Sequence, residues 1–266
     1  MLLSSVILVL QETLEAALLI SVLLTISYQQ WSRVAWLLFG ICGGLVLSYL
    51  YAGNMGEISE WFDYVGQEIV NAGLQVLITL LIVICTWAAY KSQRRGSVVR
   101  QSQANPFASL FVICAAVAVA LAITREGSEI LLYLSGFFQQ PEYFRTIMVG
   151  SSIGFSIGLS IGILLYYGLS SLPIRWRLEA AVFLMALFAG NMLSQAVIQL
   201  TQADWISSTR AFWDTSHWLP ENTISGQLLY ALVGYEATPS AAQLIAYATG
   251  VVLVLVFRAA GKYSRR

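Results

Sequence analysis

The chain has 266 residues, of which 58% are apolar and 11% charged, and its basic and acidic residues balance to a net charge of zero. The apolar residues come in long runs instead of short amphipathic repeats, which excludes an ordinary water-soluble domain and indicates an all-α, polytopic membrane protein in a lipid bilayer. No phosphate-binding Gly-rich Lys-Ser/Thr loop is present, so the chain does not hydrolyse ATP itself, and no nucleic-acid partner is expected.

Seven runs are long enough to cross a bilayer core as helices, near residues 3–27, 34–52, 67–90, 107–136, 146–169, 178–200 and 240–258. The N-terminal "MLLSSVILVL" lacks the basic leader of a secretory signal and its apolar stretch continues for a full span, so it reads as an uncleaved first helix. That helix contains "QETLE", with Glu12 and Glu15 three residues apart. After the second run come the acids Glu57, Glu60 and Asp63, then Glu68 at the head of the third, which carries Asn71, Gln75 and Thr79 at intervals of four. A polar stretch over 91–106 follows and reads as a cytoplasmic linker between two halves, 1–90 and 107–200.

The fourth run contains "REGSE", with Arg125, Glu126 and Glu129. The fifth reads "GSSIGFSIGLSIG" and places Gly150, Gly154, Gly158 and Gly162 on one face, the pattern of close helix packing through small residues. The sixth bears Asn191, Gln195 and Gln199, again at intervals of four, and either polar stripe suits a pathway or interhelical hydrogen bonds. Residues 201–239 form an external segment with Asp214, His217 and Glu236, and its apolar part, "ISGQLLYALVG", is too short to span. A re-entrant or interfacial turn broken at Gly234 and Pro239 is expected there. The last helix and a basic tail occupy 240–266.

Basic residues are sorted by loop. Arg33, Lys91, Arg94, Arg95, Arg100, Arg175, Arg177, Arg258, Lys262, Arg265 and Arg266 fall in alternate connections, and the others hold only Arg145 and Arg210 with most of the acids. This predicts an external N-terminus and a cytoplasmic C-terminus. The stretches "QETLEAALLIS" and "REGSEILLYLS" align carboxylate on carboxylate across three helices. An odd number of crossings reverses direction, so the expected architecture is an inverted 3+3 repeat plus a seventh helix. At 1.5 Å per residue, Glu12 and Glu126 lie roughly 13 and 15 Å below the outer helix ends, so the two motifs can meet at one level.

Glutamates at i and i+3 share a helix face, and each pair offers a chelating jaw of oxygens. Four carboxylates inside a membrane are costly and repel one another, and Arg125 supplies only one compensating charge, because Gln11 stands at the matching place in the first motif. A multivalent cation is the natural remaining partner. Oxygen-only ligation points to a hard ion such as Fe³⁺, Mn²⁺, Ca²⁺ or Mg²⁺, whereas zinc or copper would more often recruit imidazole or thiolate. The bland alternative is that Arg125 neutralises one glutamate, protons neutralise others, and the cluster merely fixes packing.

The single His217 has an ordinary surface role as its simplest reading, with an ion-collecting or proton-accepting role as the alternative. Cys42, Cys85 and Cys114 sit singly in apolar runs and read as packing residues. A membrane redox enzyme is disfavoured because one histidine cannot supply paired haem ligands and the cysteines lack cluster spacing. The chain is not expected to be an enzyme or to hold a permanent cofactor.

At these residues the sequence resembles the oxidase-dependent iron transporter family, which comprises the fungal high-affinity iron permeases and their bacterial relatives. The family's mark is an Arg-Glu-x-x-Glu (REXXE) motif in helix 1 and again in helix 4. "REGSE" matches it fully, and "QETLE" keeps Glu12 and Glu15 but has Gln11 where the family has arginine. The stretches "AFWDTSHW" and "LLYALVGYEATPSAAQLIAY" resemble the family's segment before its last helix. The resemblance implies iron as cargo across the plasma or inner membrane, metal held at Glu12, Glu15, Glu126 and Glu129, and an external ferroxidase or periplasmic iron-handling partner. Glu68, Asn71, Asn191, Gln195, Asp214, His217 and Glu236 are the candidates for an access path, and Arg125 and Gln11 for tuning the charge.

Overall fold

The computed structural model describes residues 2–31, 34–96, 106–138, 140–220 and 223–263. Its elements are α1 Leu2–Trp31, α2 Ala35–Gly53, α3 Met55–Ser59, α4 Trp61–Tyr64, α5 Gly66–Gly96, α6 Pro106–Ser135, α7 Pro141–Ser171, α8 Ile174–Gln202, α9 Ile224–Val233 and α10 Ala241–Tyr263. Seven of these, α1, α2, α5, α6, α7, α8 and α10, are long and apolar enough to cross a membrane. They coincide with the seven runs expected from sequence. One boundary moves, because α5 continues through Gly96 into the stretch read as linker, and 97–105 lie outside the described residues. So do Arg33, Arg100, Glu221, Arg265 and Arg266.

Burial separates an inner from an outer ring. About 61% of the most apolar stretch of α1 and 67% of that of α8 lie inside the molecule, against 22% for α2 and 17% for α10. The outer helices turn Leu38, Phe39, Val46, Leu164, Ile245 and Val252 outward, as expected of faces against lipid. Leu18, Val22, Ile78, Ile82, Phe111, Ala115, Ala118, Met185 and Ala189 join α1, α5, α6 and α8 in one core.

Lipid gives no hydrophobic drive for helix pairing, so close contact must come from small residues. The glycine face of α7 does this against α1, running parallel to it. A Cβ on Gly158 would sit 2.9 Å from that of Thr13 and one on Gly162 2.6 Å from that of Ala17, and the Ser21 hydroxyl donates to the Gly162 carbonyl at 2.7 Å. A second parallel seam joins α2 to α6. There a Cβ on Gly44 would meet the Ala120 carbonyl at 2.9 Å, and the Ser48 hydroxyl donates to the Ile123 carbonyl at 2.6 Å. Each motif-bearing helix is thus seated on a glycine-lined helix, α1 on α7 and α6 on α2.

The segment after α8 folds back on the chain before α10. Phe212 N–H donates to the Pro239 carbonyl at 2.8 Å and Thr215 N–H to the Ala237 carbonyl at 2.9 Å, around an isolated bridge between Ala211 and Ser240. This segment contains α9, a ten-residue helix capped by Thr223, whose hydroxyl accepts from Gly226 N–H at 3.1 Å. Gly234 ends it with φ 70°, a left-handed conformation that favours glycine. At the opposite end of the bundle Arg258 of α10 pairs with Glu179 of α8 and donates to the Tyr90 hydroxyl of α5 at 3.2 Å, tying three helices together.

Candidate functional site

The i and i+3 spacing in α1 and α6 turns both glutamate pairs toward the bundle interior, and the two seams bring the motif-bearing helices into contact. Glu12, Glu15 and Glu126 are buried and Glu129 retains 30% side-chain exposure, so Glu129 is the least enclosed of the four.

Arg125 stands at the centre. Its Nη1 lies 3.3 Å from Glu15 Oε2 and 2.5 Å from Glu126 Oε1, and its Nη2 lies 3.5 Å from Glu129 Oε1. The guanidinium fork therefore joins a carboxylate of the first motif to both carboxylates of the second. Glu12 completes the group, with its carboxyl within hydrogen-bonding reach of Glu126. Among the described residues no three carboxylates stand together at metal-ligand spacing, and the guanidinium occupies the ground between the two motifs.

Neutral side chains extend the network. Gln195 Nε2 donates to Glu15 Oε1 at 3.1 Å and to Oε2 at 3.3 Å, and Gln75 Nε2 donates to Gln195 Oε1 at 2.8 Å. The Tyr51 hydroxyl donates to Asn71 Oδ1 at 3.0 Å and stands in electrostatic reach of Glu129 and Glu68. Tyr230 of α9 lies in reach of Glu15, Glu12 and Glu236. Glu126 Oε2, Arg125 Nε and Gln75 Oε1 are buried without a hydrogen-bond partner.

The other residues singled out from sequence are dispersed. Asn191 is buried and directs Nδ2 at the Tyr230 carbonyl, 3.5 Å away. Glu236 accepts from Gln243 Nε2 at 2.7 and 2.6 Å, at the start of α10. Asp214 and His217 are exposed on the segment between α8 and α9. The Ser216 hydroxyl and backbone N–H both donate to Asp214 and hold its carboxyl below the usual carboxylate range. Gln11 is partly buried and joins none of these bonds among the described residues. Tyr51 and Tyr230 were not among the expected site residues, and Gln75 was expected only as a member of a polar stripe suited to a pathway or to interhelical hydrogen bonds. Gln75 carried a usable signal, since Asn71 and Gln75 repeat the spacing of Asn191 and Gln195 at a separation of 120 residues.

The arrangement can offer up to eight carboxylate oxygens from two helices, with one fixed cation as internal counter-charge. In comparisons with known proteins, no curated protein and no solved structure matches the chain. The family model described as "Iron permease FTR1 family" matches residues 2–263, nearly every residue present. Its members are permeases, transporters rather than enzymes, with iron ions as the substrate carried. With seven apolar helices around a buried carboxylate cluster, this chain is a multi-pass membrane protein belonging to the iron permease FTR1 family.

Proposed function

We propose that the chain carries iron, as Fe³⁺, across the cytoplasmic membrane through a site formed by Glu12, Glu15, Glu126 and Glu129. The observation that carries this reading is the convergence of two Glu-x-x-Glu pairs, one from each half of the chain, on a single buried guanidinium. If every glutamate is ionised the cluster holds a net charge of minus three, a deficit that one trivalent ion offsets. Glu129, with Glu68, Asn71 and Tyr51 beside it, is the proposed way in. Iron arriving there draws the carboxylates away from Arg125, whose long side chain can move aside while remaining the nearest positive charge. No permanently bound cofactor takes part, and an external ferroxidase or periplasmic iron-handling protein presents the ion.

The reading includes the inverted 3+3 repeat, with the N-terminus outside and the C-terminus inside. Its support lies in the seams: Gly40 and Gly44 of α2 stand at the same separation from Gly154 and Gly158 of α7 as Glu12 does from Glu126. Each set packs against the motif helix of the opposite half.

The test is iron uptake into proteoliposomes, comparing wild type with Glu12→Gln, Glu15→Gln, Glu126→Gln and Glu129→Gln, with manganese as competitor. Uptake is expected to fall to background in each variant while the melting temperature in detergent stays within a few degrees. Uptake that survives all four changes overturns the site, and equal uptake of manganese overturns the assignment to iron.

Gln11→Arg restores the family's second arginine and adds positive charge beside the first pair. We expect the fold to be retained and iron affinity to fall by about tenfold, or the pH profile of uptake to shift, since a neighbouring charge moves a carboxylate by one to three pK units. Uptake identical to wild type at every pH counts against this account of Gln11.

A further inference from the structure

Gln75 is wholly buried on α5, Gln195 is 3% exposed on α8, and their amides meet at 2.8 Å in the middle of the bundle. Neither carries charge, and with Glu15 ionised and paired to Arg125 their orientation follows. An ionised carboxylate only accepts hydrogen bonds, so the Gln195 amide nitrogen must face Glu15, where it lies 3.1 and 3.3 Å from the two oxygens. The Gln195 carbonyl then faces the other way and needs a donor, which Gln75 Nε2 supplies. The chain of donation runs one way, from Gln75 through Gln195 to Glu15.

The consequence falls on Glu15 in particular. It is gripped by Arg125 on Oε2 at 3.3 Å and by Gln195 across both oxygens, whereas Glu126 has one oxygen bound to Arg125 and no amide or hydroxyl donor on the other among the described residues. If Arg125 withdraws, Gln195 remains, so Glu15 stays aimed when the counter-charge leaves. A neutral donor does this without reducing the negative charge that attracts a multivalent ion, as outer ligands of metal sites commonly do.

We propose that Gln195 and Gln75 are positioning residues of the ion site: Gln195 holds the Glu15 carboxylate in its ion-receiving orientation, and Gln75 fixes Gln195 in turn. The proposal rests on the reading that the glutamates receive the ion.

The experiment uses the full-length protein in detergent and in proteoliposomes, with radiolabelled ferric citrate as the probe. Gln195→Leu should weaken equilibrium binding about 10- to 100-fold and Gln75→Leu about tenfold, the range seen when outer partners of metal ligands are removed. The double variant should bind no more weakly than Gln195→Leu alone, because Gln75 acts through Gln195. In proteoliposomes KM should rise while the maximal rate per folded protein holds, whereas mere loss of folded protein lowers the rate and leaves KM unchanged. Should the leucine variants fail to fold, the near-isosteric Gln195→Glu, which places an acceptor against Glu15, is expected to fold and to raise KM. Glu15→Gln separates the two ideas. If it leaves binding unchanged, the ion-site reading fails. If it weakens binding while KM is untouched in the Gln195 variants, or while the Gln75 and Gln195 effects add, the positioning proposal alone is overturned.

Discussion

Replacing Arg125 with glutamine is expected to destabilise the protein by roughly 3–5 kcal/mol, the scale for breaking a buried ion pair by removing one partner. It should also abolish iron uptake. The argument is geometric: one guanidinium contacts Glu15, Glu126 and Glu129, and three contacts are lost in a single change. What remains is a set of carboxylates in a low-dielectric interior with no counter-charge, which must take up protons or separate. Arg125→Lys should recover only part of the loss, because an ammonium is a point charge and cannot fork across carboxylates from two helices. Thermal melting in detergent checks the stability and proteoliposome uptake the function. Adding Glu15→Gln to Arg125→Gln should regain stability without regaining transport. An Arg125→Gln protein that melts like wild type would show that the guanidinium is not the counter-charge proposed.

The second large effect concerns the seam between α1 and α7. Gly154→Leu is expected to cost about 3 kcal/mol or more, above the usual range for overpacking, because the obstruction is backbone. A Cβ at Gly154 would overlap the Val6 carbonyl and lie 2.9 Å from the Leu10 nitrogen, and neither atom can rotate away as a side chain would. Separating the helices would tilt α1, which carries Glu12 and Glu15, so uptake should fall together with stability. Gly168, in the same helix, has nothing within 4 Å of its Cβ position, and Gly168→Ala should be neutral or slightly stabilising. Equal melting temperatures for Gly154→Leu and Gly168→Ala would mean that the seam is not close-packed in the membrane.

The spanning helices were legible because a bilayer imposes length and apolarity on each segment separately, and that information is local. The glycine face of α7 was legible for the same reason, since four small residues on one side announce a close neighbour. Which neighbour was not written there. Periodicity says which side of a helix is small or polar, but not that Gly44 meets Ala120, or that Gly162 meets Ala17. The four glutamates were legible as a group through their repeated spacing. Arg125 read as the companion of its own pair, and its reach to Glu15 on another helix depends on how α1 and α6 cross. Gln75 was noticed only as one polar residue in a stripe, because its role comes from a partner 120 residues away. The end of α5 was misjudged for a simpler reason: Lys91 to Gly96 are polar, and polarity marks the edge of the membrane but not the end of a helix.

The pairing of early helices with late ones, α1 with α7 and α2 with α6, bears on how the chain is made. Synthesis delivers α1 first, and Glu15 emerges 110 residues before Arg125. At typical rates of 5–20 residues per second, that interval is roughly 5 to 20 s. Over that time the first helix must wait in the translocation channel or the bilayer with two acidic side chains and no guanidinium. Its packing partner α7 is made later still. Neither the Glu15 contact nor the α7 seam is complete until these later helices arrive: an α1 whose glutamate face lacks Arg125, and whose opposite face lacks α7, marks a polypeptide still incomplete.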